Sequence, residues 1–130
     1  EVIAVVHAGR AGAFFNIIKV TLDSFREDFD SNIKDIYVSI GPSIGECCYQ
    51  VGSEIYEQSK KLDLDYAISK KNNSYFLNIA KILYKQLLDE GVLNDKIEFS
   101  KECTSCNTEQ YFSYRAEKKT GRFCGLLMLS

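Results

Sequence analysis

The single histidine of this chain is one of the few side chains suited to metal binding or to proton transfer. His7 follows an apolar run and precedes a glycine-containing turn, a position from which a side chain can point into a cleft. A neutral imidazole at this position would serve as a zinc ligand or as a general base. A hydrogen-bonded structural histidine would fit the same pattern, so both interpretations stay open at the level of the residues.

Five cysteines form two close-spaced pairs and one isolated position, Cys124. Cys103 and Cys106 have the C-x-x-C spacing of half a zinc knuckle or of a redox pair. Cys47 and Cys48 follow a Gly-Pro turn, where a nucleophile could be presented, but a reactive thiolate also needs a base or a positive field. A structural zinc site normally takes four ligands. The other half would have to come from Cys47, Cys48 or His7, and no second C-x-x-C is present. Packing of these thiols as small hydrophobic groups is therefore the simpler interpretation.

Arginines near glycine or aromatic turns are the candidates for anion binding. They are Arg10, Arg115 and Arg122. A guanidinium group recognises phosphate or carboxylate through paired hydrogen bonds. Each of these arginines, taken alone, could equally be a solvated surface residue.

The elements that must position these residues follow from the hydrophobic pattern, which predicts an α/β fold with a mixed sheet and flanking helices. Strands are predicted at 1–7, 34–40, 96–100 and 123–129. Helices are predicted at 13–29, 52–61 and 74–90, with a tight turn at 41–45 and a loop at 70–73. Ser74 is the expected cap of the last helix, and Gly91 the expected left-handed residue after it. A first strand followed by a glycine turn would place His7 where ligands collect in α/β proteins.

Length and composition predict one soluble globular domain. The chain has 130 residues, of which 45% are hydrophobic and 26% charged. A formal net charge of −2 and the lack of an arginine-rich tract give no support for nucleic-acid binding. The apolar runs are too short for a bilayer span, and no basic leader opens the chain, so a cytoplasmic location without a membrane partner is expected.

Three segments occur in an order that resembles a known family. They read VVHAGRAG at 5–12, IGPSIGECCYQVG at 40–52, and a third segment that runs from Cys103-Thr104 through FSYR to Gly121-Arg122. This ordered set is similar to the YfiH family, also called the laccase-domain or polyphenol oxidase family. The resemblance implies α/β architecture with mixed sheets and outer helices, in contrast to the cupredoxin fold of true laccases. It further implies that residues 1–130 form a YfiH-like domain lacking its N-terminal half, which would be a partner of this chain.

The resemblance also implies an enzyme that acts on purine nucleosides, either by phosphorolysis with phosphate or by deamination of adenosine. Family members bind one zinc ion through two histidines and a cysteine, with copper as the less favoured metal. His7 matches the last of these ligands, and the other two have no counterpart in this sequence. Most members place tryptophan after His-Ala-Gly, where Arg10 stands here. Arg10, Ser113 and Arg115 are the expected contacts to nucleoside and phosphate.

Two other classes of function compete with a nucleoside enzyme. The chain could be a non-catalytic scaffold that carries one orphaned metal ligand. It could also be a thiol redox module that uses Cys103 and Cys106, in which case it would contain a reducible disulfide. Stoichiometric zinc and a nucleoside product would distinguish the enzyme from both.

Overall fold

The computed structural model describes residues 1–130 and contains five helices and two small sheets. In chain order the elements are α1 (Arg10–Phe14), α2 (Ile17–Glu27), β1 (Val38–Ile40), β2 (Gln50–Val51), α3 (Ser53–Lys61), β3 (Ile68–Lys71), β4 (Ser74–Leu77), α4 (Ile79–Asp89), β5 (Ile97–Phe99) and α5 (Tyr114–Glu117). Short 3-10 turns precede three of the strands, at Ile33–Asp35, Asp65–Ala67 and Asn94–Lys96. None of the helices combines the length and the apolar character that a membrane span requires.

The two sheets differ in strand direction, which confirms the predicted mixed α/β class. β1 and β5 pair in parallel, with Val38 opposite Ile97. In the second sheet β4 lies between β2 and β3 and is antiparallel to both. Parallel neighbours need a long crossover connection, and here the second sheet and two helices lie within it along the chain.

Two apolar clusters form the core, and α4 contributes to both. The first cluster comprises Ala13, Phe14, Leu64, Ala67, Leu77, Ile79, Ile82 and Leu83, and the second Leu22, Ile33, Leu87 and Val92. The α4 members recur with helical spacing, so a single face of this helix is buried along its length. Burying a leucine or isoleucine side chain contributes about 1.5–3 kcal/mol. The helix is therefore the central packing element of the chain.

The helix predicted at 74–90 begins later than expected. Residues Ser74–Leu77 form β4, which pairs with β3 on one side and β2 on the other. The cap is Asn78 instead of Ser74, and its Oδ1 atom accepts a hydrogen bond from the Lys81 amide at 3.0 Å. Gly91 has a φ of 96°, which confirms the predicted left-handed residue after the helix.

The loop predicted at 70–73 is instead the end of a strand and a hairpin turn. β3 ends at Lys71 and β4 begins at Ser74, so a two-residue turn joins them. Both turn residues, Asn72 and Asn73, have positive φ values of 47° and 59°, as a tight hairpin requires. Asparagine tolerates this region better than most residues, which explains why a polar pair can close the hairpin without glycine.

Two further boundaries differ from the prediction, and two predictions are confirmed. The helix predicted at 13–29 is divided into α1 and α2 at Asn16, whose φ of 56° breaks the helix and whose side chain caps α2 through the Lys19 amide. The strand predicted at 34–40 is shortened to β1 by a 3-10 turn at Ile33–Asp35. The predictions at 52–61 and 96–100 are confirmed as α3 and β5.

The strands predicted at 1–7 and 123–129 are absent. These apolar segments make no backbone–backbone hydrogen bonds and are exposed, with Val5 at 64% and Leu126 at 92%. A strand needs a hydrogen-bonded neighbour to satisfy its peptide groups, and no strand in this chain pairs with either segment. The two segments do approach each other, because a Cβ atom on Gly125 would lie 3.9 Å from Val5 Cγ1.

Candidate functional site

His7 lies in the extended segment that leads into α1, and its ring folds back over the following backbone. A Cβ atom on Gly9 would lie 3.1 Å from His7 Nε2, so the absence of a side chain at Gly9 leaves room for the imidazole. His7 is exposed. No group of three or more metal-ligating side chains in the chain includes it. The residues around His7 therefore do not by themselves form a metal site.

Arg10 is the first residue of α1 and is half-buried. Its guanidinium carbon lies 5.8 Å from the centroid of the Phe14 ring, and Nη1 lies 3.5 Å from Gln58 Oε1. Both partners are uncharged, so they orient the guanidinium group without neutralising it.

Arg115 and Ser113 lie at the start of α5. Arg115 Nη1 donates a 2.9 Å hydrogen bond to the Gln50 carbonyl oxygen, and its guanidinium carbon lies 5.1 Å from the Tyr49 ring centroid. Ser113 is buried and caps the helix, because its Oγ atom accepts a hydrogen bond from the Ala116 amide at 3.4 Å. The cap fixes the helical turn that carries Arg115, and the contact with Gln50 fixes where that turn sits.

The arginines of the chain divide into one with carboxylate partners and three without. Arg26 forms ion pairs with Asp23 and Glu90, each at 2.9 Å. Arg10, Arg115 and Arg122 form no ion pair, so their charges are free to bind an anion. No hydrogen bond or ion pair joins any two of the four predicted site residues, His7, Arg10, Ser113 and Arg115. His7 and Arg10 lie at the entry to α1, and Ser113 and Arg115 lie at the start of α5.

The strongest concentration of reactive groups is a cysteine cluster that sequence reasoning treated as packing. The Sγ atoms of Cys47, Cys48, Cys103 and Cys106 all lie within 4.8 Å of one another. One pair follows β1 and the other follows β5 along the chain. Because these strands are parallel neighbours, their carboxyl ends lie at the same edge, and the Thr104 amide extends the pairing with a 3.0 Å bond to the Ser43 carbonyl. Strand pairing between distant segments is what the sequence did not reveal.

The environment of the cluster favours a thiolate at one position. Burial raises the pKa of the Cys103 thiol, but hydrogen bonds from the amides of Gly45, Cys106 and Ser105 outweigh burial and bring the pKa to about 7. The Gly45 amide lies 3.2 Å from Cys103 Sγ. Hydrogen bonding with Cys48, and then with Cys47, raises the pKa of Cys106 to about 12. Cys103 is therefore the candidate thiolate of the cluster.

Comparison with known proteins connects these features to named relatives. The family model described as multi-copper polyphenol oxidoreductase laccase matches residues 1–130. A Clostridium acetobutylicum protein named purine nucleoside phosphorylase is 34% identical over 130 residues, which is 98% of this chain and 54% of that protein. The Escherichia coli purine nucleoside phosphorylase YfiH is 29% identical over 129 residues, 98% of this chain and 51% of that protein. The chain thus spans about half the length of these relatives.

Solved structures agree with the sequence comparison. The Bacillus licheniformis hypothetical protein YfiH superposes with a TM-score of 0.80 at 32% identity, covering 87% of this chain and 44% of that one. YlmD from Geobacillus stearothermophilus superposes with a TM-score of 0.79 at 30% identity, covering 87% of this chain and 43% of that one. The fold and the three motifs therefore have one common explanation: this chain belongs to the laccase-domain family that includes YfiH and YlmD.

Proposed function

We propose that this chain is part of a metal-dependent purine nucleoside phosphorylase. The observation that carries the proposal is the 34% identity, over 98% of this chain, to a protein named purine nucleoside phosphorylase. In this reaction a phosphate oxygen forms a bond to C1′ of the ribose while the C1′–N9 bond breaks. The products are ribose 1-phosphate and the free purine, which takes up a proton as it leaves.

Arg10 and Arg115 bind the phosphate in this proposal. Both guanidinium groups lack a carboxylate partner, so binding an anion costs them no existing ion pair. Arg115 uses Nη1 to donate to the Gln50 carbonyl and packs against Tyr49. Its remaining N–H donors are available in a fixed orientation, which suits a tetrahedral oxyanion.

Ser113 and His7 complete the set of residues that the chain contributes. The Ser113 hydroxyl oxygen accepts the Ala116 amide hydrogen, which leaves the hydroxyl proton to donate to phosphate or to the nucleoside. His7 is one ligand of the metal, for which we propose zinc in preference to copper. Its companion ligands lie outside these 130 residues, since no metal-ligating group here includes His7.

Product analysis tests the proposal. The full gene product is incubated with adenosine or inosine and phosphate, and the bases are separated by liquid chromatography with mass detection. We expect free adenine or hypoxanthine, its formation depending on phosphate and ending when a chelator is added. Inosine formed from adenosine without phosphate would indicate deamination instead, and no product at all would support a non-catalytic scaffold.

Replacement of Arg115 tests one of the two proposed phosphate contacts. Arg115→Ala should raise the KM for phosphate about 10-fold or more, because hydrogen bonds to charged groups each contribute about 1.5–3 kcal/mol. The matched control is Lys34→Ala, which removes an exposed positive charge whose side chain forms no hydrogen bond or ion pair. Equal KM values in the two variants would exclude Arg115 from the phosphate site.

A further inference from the structure

We propose that Cys47, Cys48, Cys103 and Cys106 bind a single soft divalent cation of the zinc type in a closed tetrathiolate site. This site is separate from the metal that the proposed function assigns to His7, and it does not depend on that function. The inference rests on the mutual distances of the four sulfur atoms, on their chemistry and on their position between two loops.

The distances between the sulfur atoms match the coordination sphere of one ion. Zinc–sulfur bonds of about 2.3 Å in a tetrahedron separate the sulfur atoms by about 3.8 Å. Cys106 Sγ lies 3.3 Å from Cys48 Sγ and 3.5 Å from Cys47 Sγ, and all four atoms lie within 4.8 Å of one another. An iron–sulfur cluster would insert several iron and sulfide ions between the thiolates and spread them further apart.

The chemistry of the four ligands selects the class of ion. Thiolates are soft ligands, and a tetrahedral set of four is typical of zinc rather than of magnesium or calcium, which prefer oxygen. Four protein ligands leave no open coordination position, as in structural zinc sites. The Gly45 amide donates a 3.2 Å hydrogen bond to Cys103 Sγ and so supports the ligand from outside the coordination sphere.

The position of the cluster shows what a bound ion would do. A bound ion would join the loop after β1 to the loop after β5. These two loops are 58 residues apart in sequence at Cys48 and Cys106. The second loop continues through Asn107, whose Nδ2 donates to the Cys103 carbonyl at 2.9 Å. Gln50, two residues after Cys48, accepts the hydrogen bond from Arg115. A metal ion would therefore fix both segments to which α5 is attached.

Metal analysis tests the site directly, in a variant that excludes any contribution from His7. The His7→Ala chain is purified under reducing conditions, reconstituted with Zn²⁺, dialysed and analysed for metal by mass spectrometry. We expect one zinc ion per chain. Substitution by Co²⁺ should give the intense visible bands of tetrahedral cobalt and a thiolate-to-cobalt charge-transfer band. No stoichiometric metal, or cobalt spectra without charge transfer, would overturn the proposal.

Cysteine variants identify the ligands. Cys106→Ser and Cys47→Ser, both at exposed positions, should lose the bound metal while circular dichroism shows that the fold is retained. Cys124→Ser is the matched control, because this exposed cysteine lies outside the cluster, and it should keep the metal. Equal metal content in all three variants would contradict the site. A Cys48–Cys106 disulfide in protein purified without reductant, found by peptide mapping, would contradict it as well.

Discussion

At the scale of single residues, Gly45 controls how closely the cysteines of the cluster can approach. A Cβ atom at this position would lie 3.2 Å from Cys103 Cβ and 3.3 Å from Cys47 Sγ, closer than ordinary van der Waals contact. Gly45→Ala should therefore lower zinc affinity about 10-fold by displacing ligands without removing any. Competition with a chromogenic chelator measures the change. Gly41→Ala is the control, since a Cβ atom there meets nothing within 4 Å. Equal zinc affinities in the two variants would show that the residues around Gly45 shift to accommodate a methyl group and that Gly45 does not control the ligand positions.

The sequence identifies candidate site residues by their type, but it does not show which of them lie close together in the fold. His7, Arg10 and Arg115 can be singled out because histidine and arginine have recognisable chemistry next to turns. Ser113 follows only from the resemblance to the YfiH family, and the role of each of these residues stays a prediction. The sequence leaves Cys47, Cys48 and His7 open as companions of the C-x-x-C in a zinc site. Only the parallel pairing of β1 with β5 shows that the two cysteine pairs are the ones brought together. Spacing along the chain carries no information about such a pairing.

At the scale of elements, the cap of α4 determines where the central helix begins. Asn78→Ala should lower the free energy of unfolding by about 1 kcal/mol, because the Lys81 amide loses its acceptor. Asn78→Ser keeps a cap oxygen and should recover most of the loss. Both variants remove the 3.3 Å bond from Asn78 to Glu46, so the difference between them isolates the cap. Urea denaturation measures it, and identical midpoints would rule out the cap as the cause.

The ion pairs on α2 give the fold a dependence on pH. A hydrogen bond from Lys19, and then one from Arg26, lowers the pKa of Asp23 below its ordinary value. A lowered carboxylate pKa stabilises the folded state above the unfolded pKa of about 3.9, and this contribution is lost as the pH falls through the folded value. Asp23→Asn should therefore lower the melting temperature at pH 7, and the difference from the wild type should shrink below about pH 4.

A control variant separates this effect from a general loss of charge. Glu109→Gln neutralises an exposed carboxylate that forms no hydrogen bond or ion pair, so its melting temperature should follow the wild type at every pH. If Asp23→Asn differs from the wild type by the same amount at pH 3 and pH 7, the ion pairs do not account for its effect.

The elements that the sequence predicted well are those whose signals are local. α3 and the left-handed Gly91 depend on neighbouring residues. The apolar pattern that indicates β5 is also local, although the strand itself forms by pairing with β1. The start of α4 was misplaced because Ser74–Leu77 has a helical apolar spacing but gains more from pairing on both of its edges as β4. The division of α1 from α2 depends on one left-handed asparagine, Asn16, which helical periodicity does not detect.

At the scale of the whole molecule, the two apolar ends of the chain leave an exposed surface. Val5 and Leu126 are largely exposed, and the segments around them lie side by side. The 130-residue chain should therefore bind a hydrophobic dye and associate in solution. Val5→Lys combined with Leu127→Lys should reduce both dye fluorescence and apparent size by gel filtration. Val20→Lys, at a valine that is 61% exposed on α2, is the control and should change neither. Strong dye binding by the double variant would contradict this account.

The prediction of buried strands at both ends was wrong because strand formation depends on pairing between distant parts of the chain. The apolar composition of residues 1–7 and 123–129 is suited to a sheet interior, but no strand of this chain pairs with them. The chain also spans about half the length of its curated relatives, at 54% and 51% of two of them. The local apolar pattern predicts that a segment is suited to be a strand. Whether the strand forms depends on a neighbouring strand with which it can pair.

Phosphorus NMR of the full gene product with inosine and phosphate follows the C1′–O bond that phosphorolysis makes. We predict that the inorganic phosphate signal declines while a ribose 1-phosphate signal grows, in equal amount to the hypoxanthine released. A constant phosphate signal while hypoxanthine and free ribose accumulate would mean hydrolysis, and unchanged inosine would mean that no nucleoside is cleaved. Either result would contradict the assignment of this chain to a purine nucleoside phosphorylase.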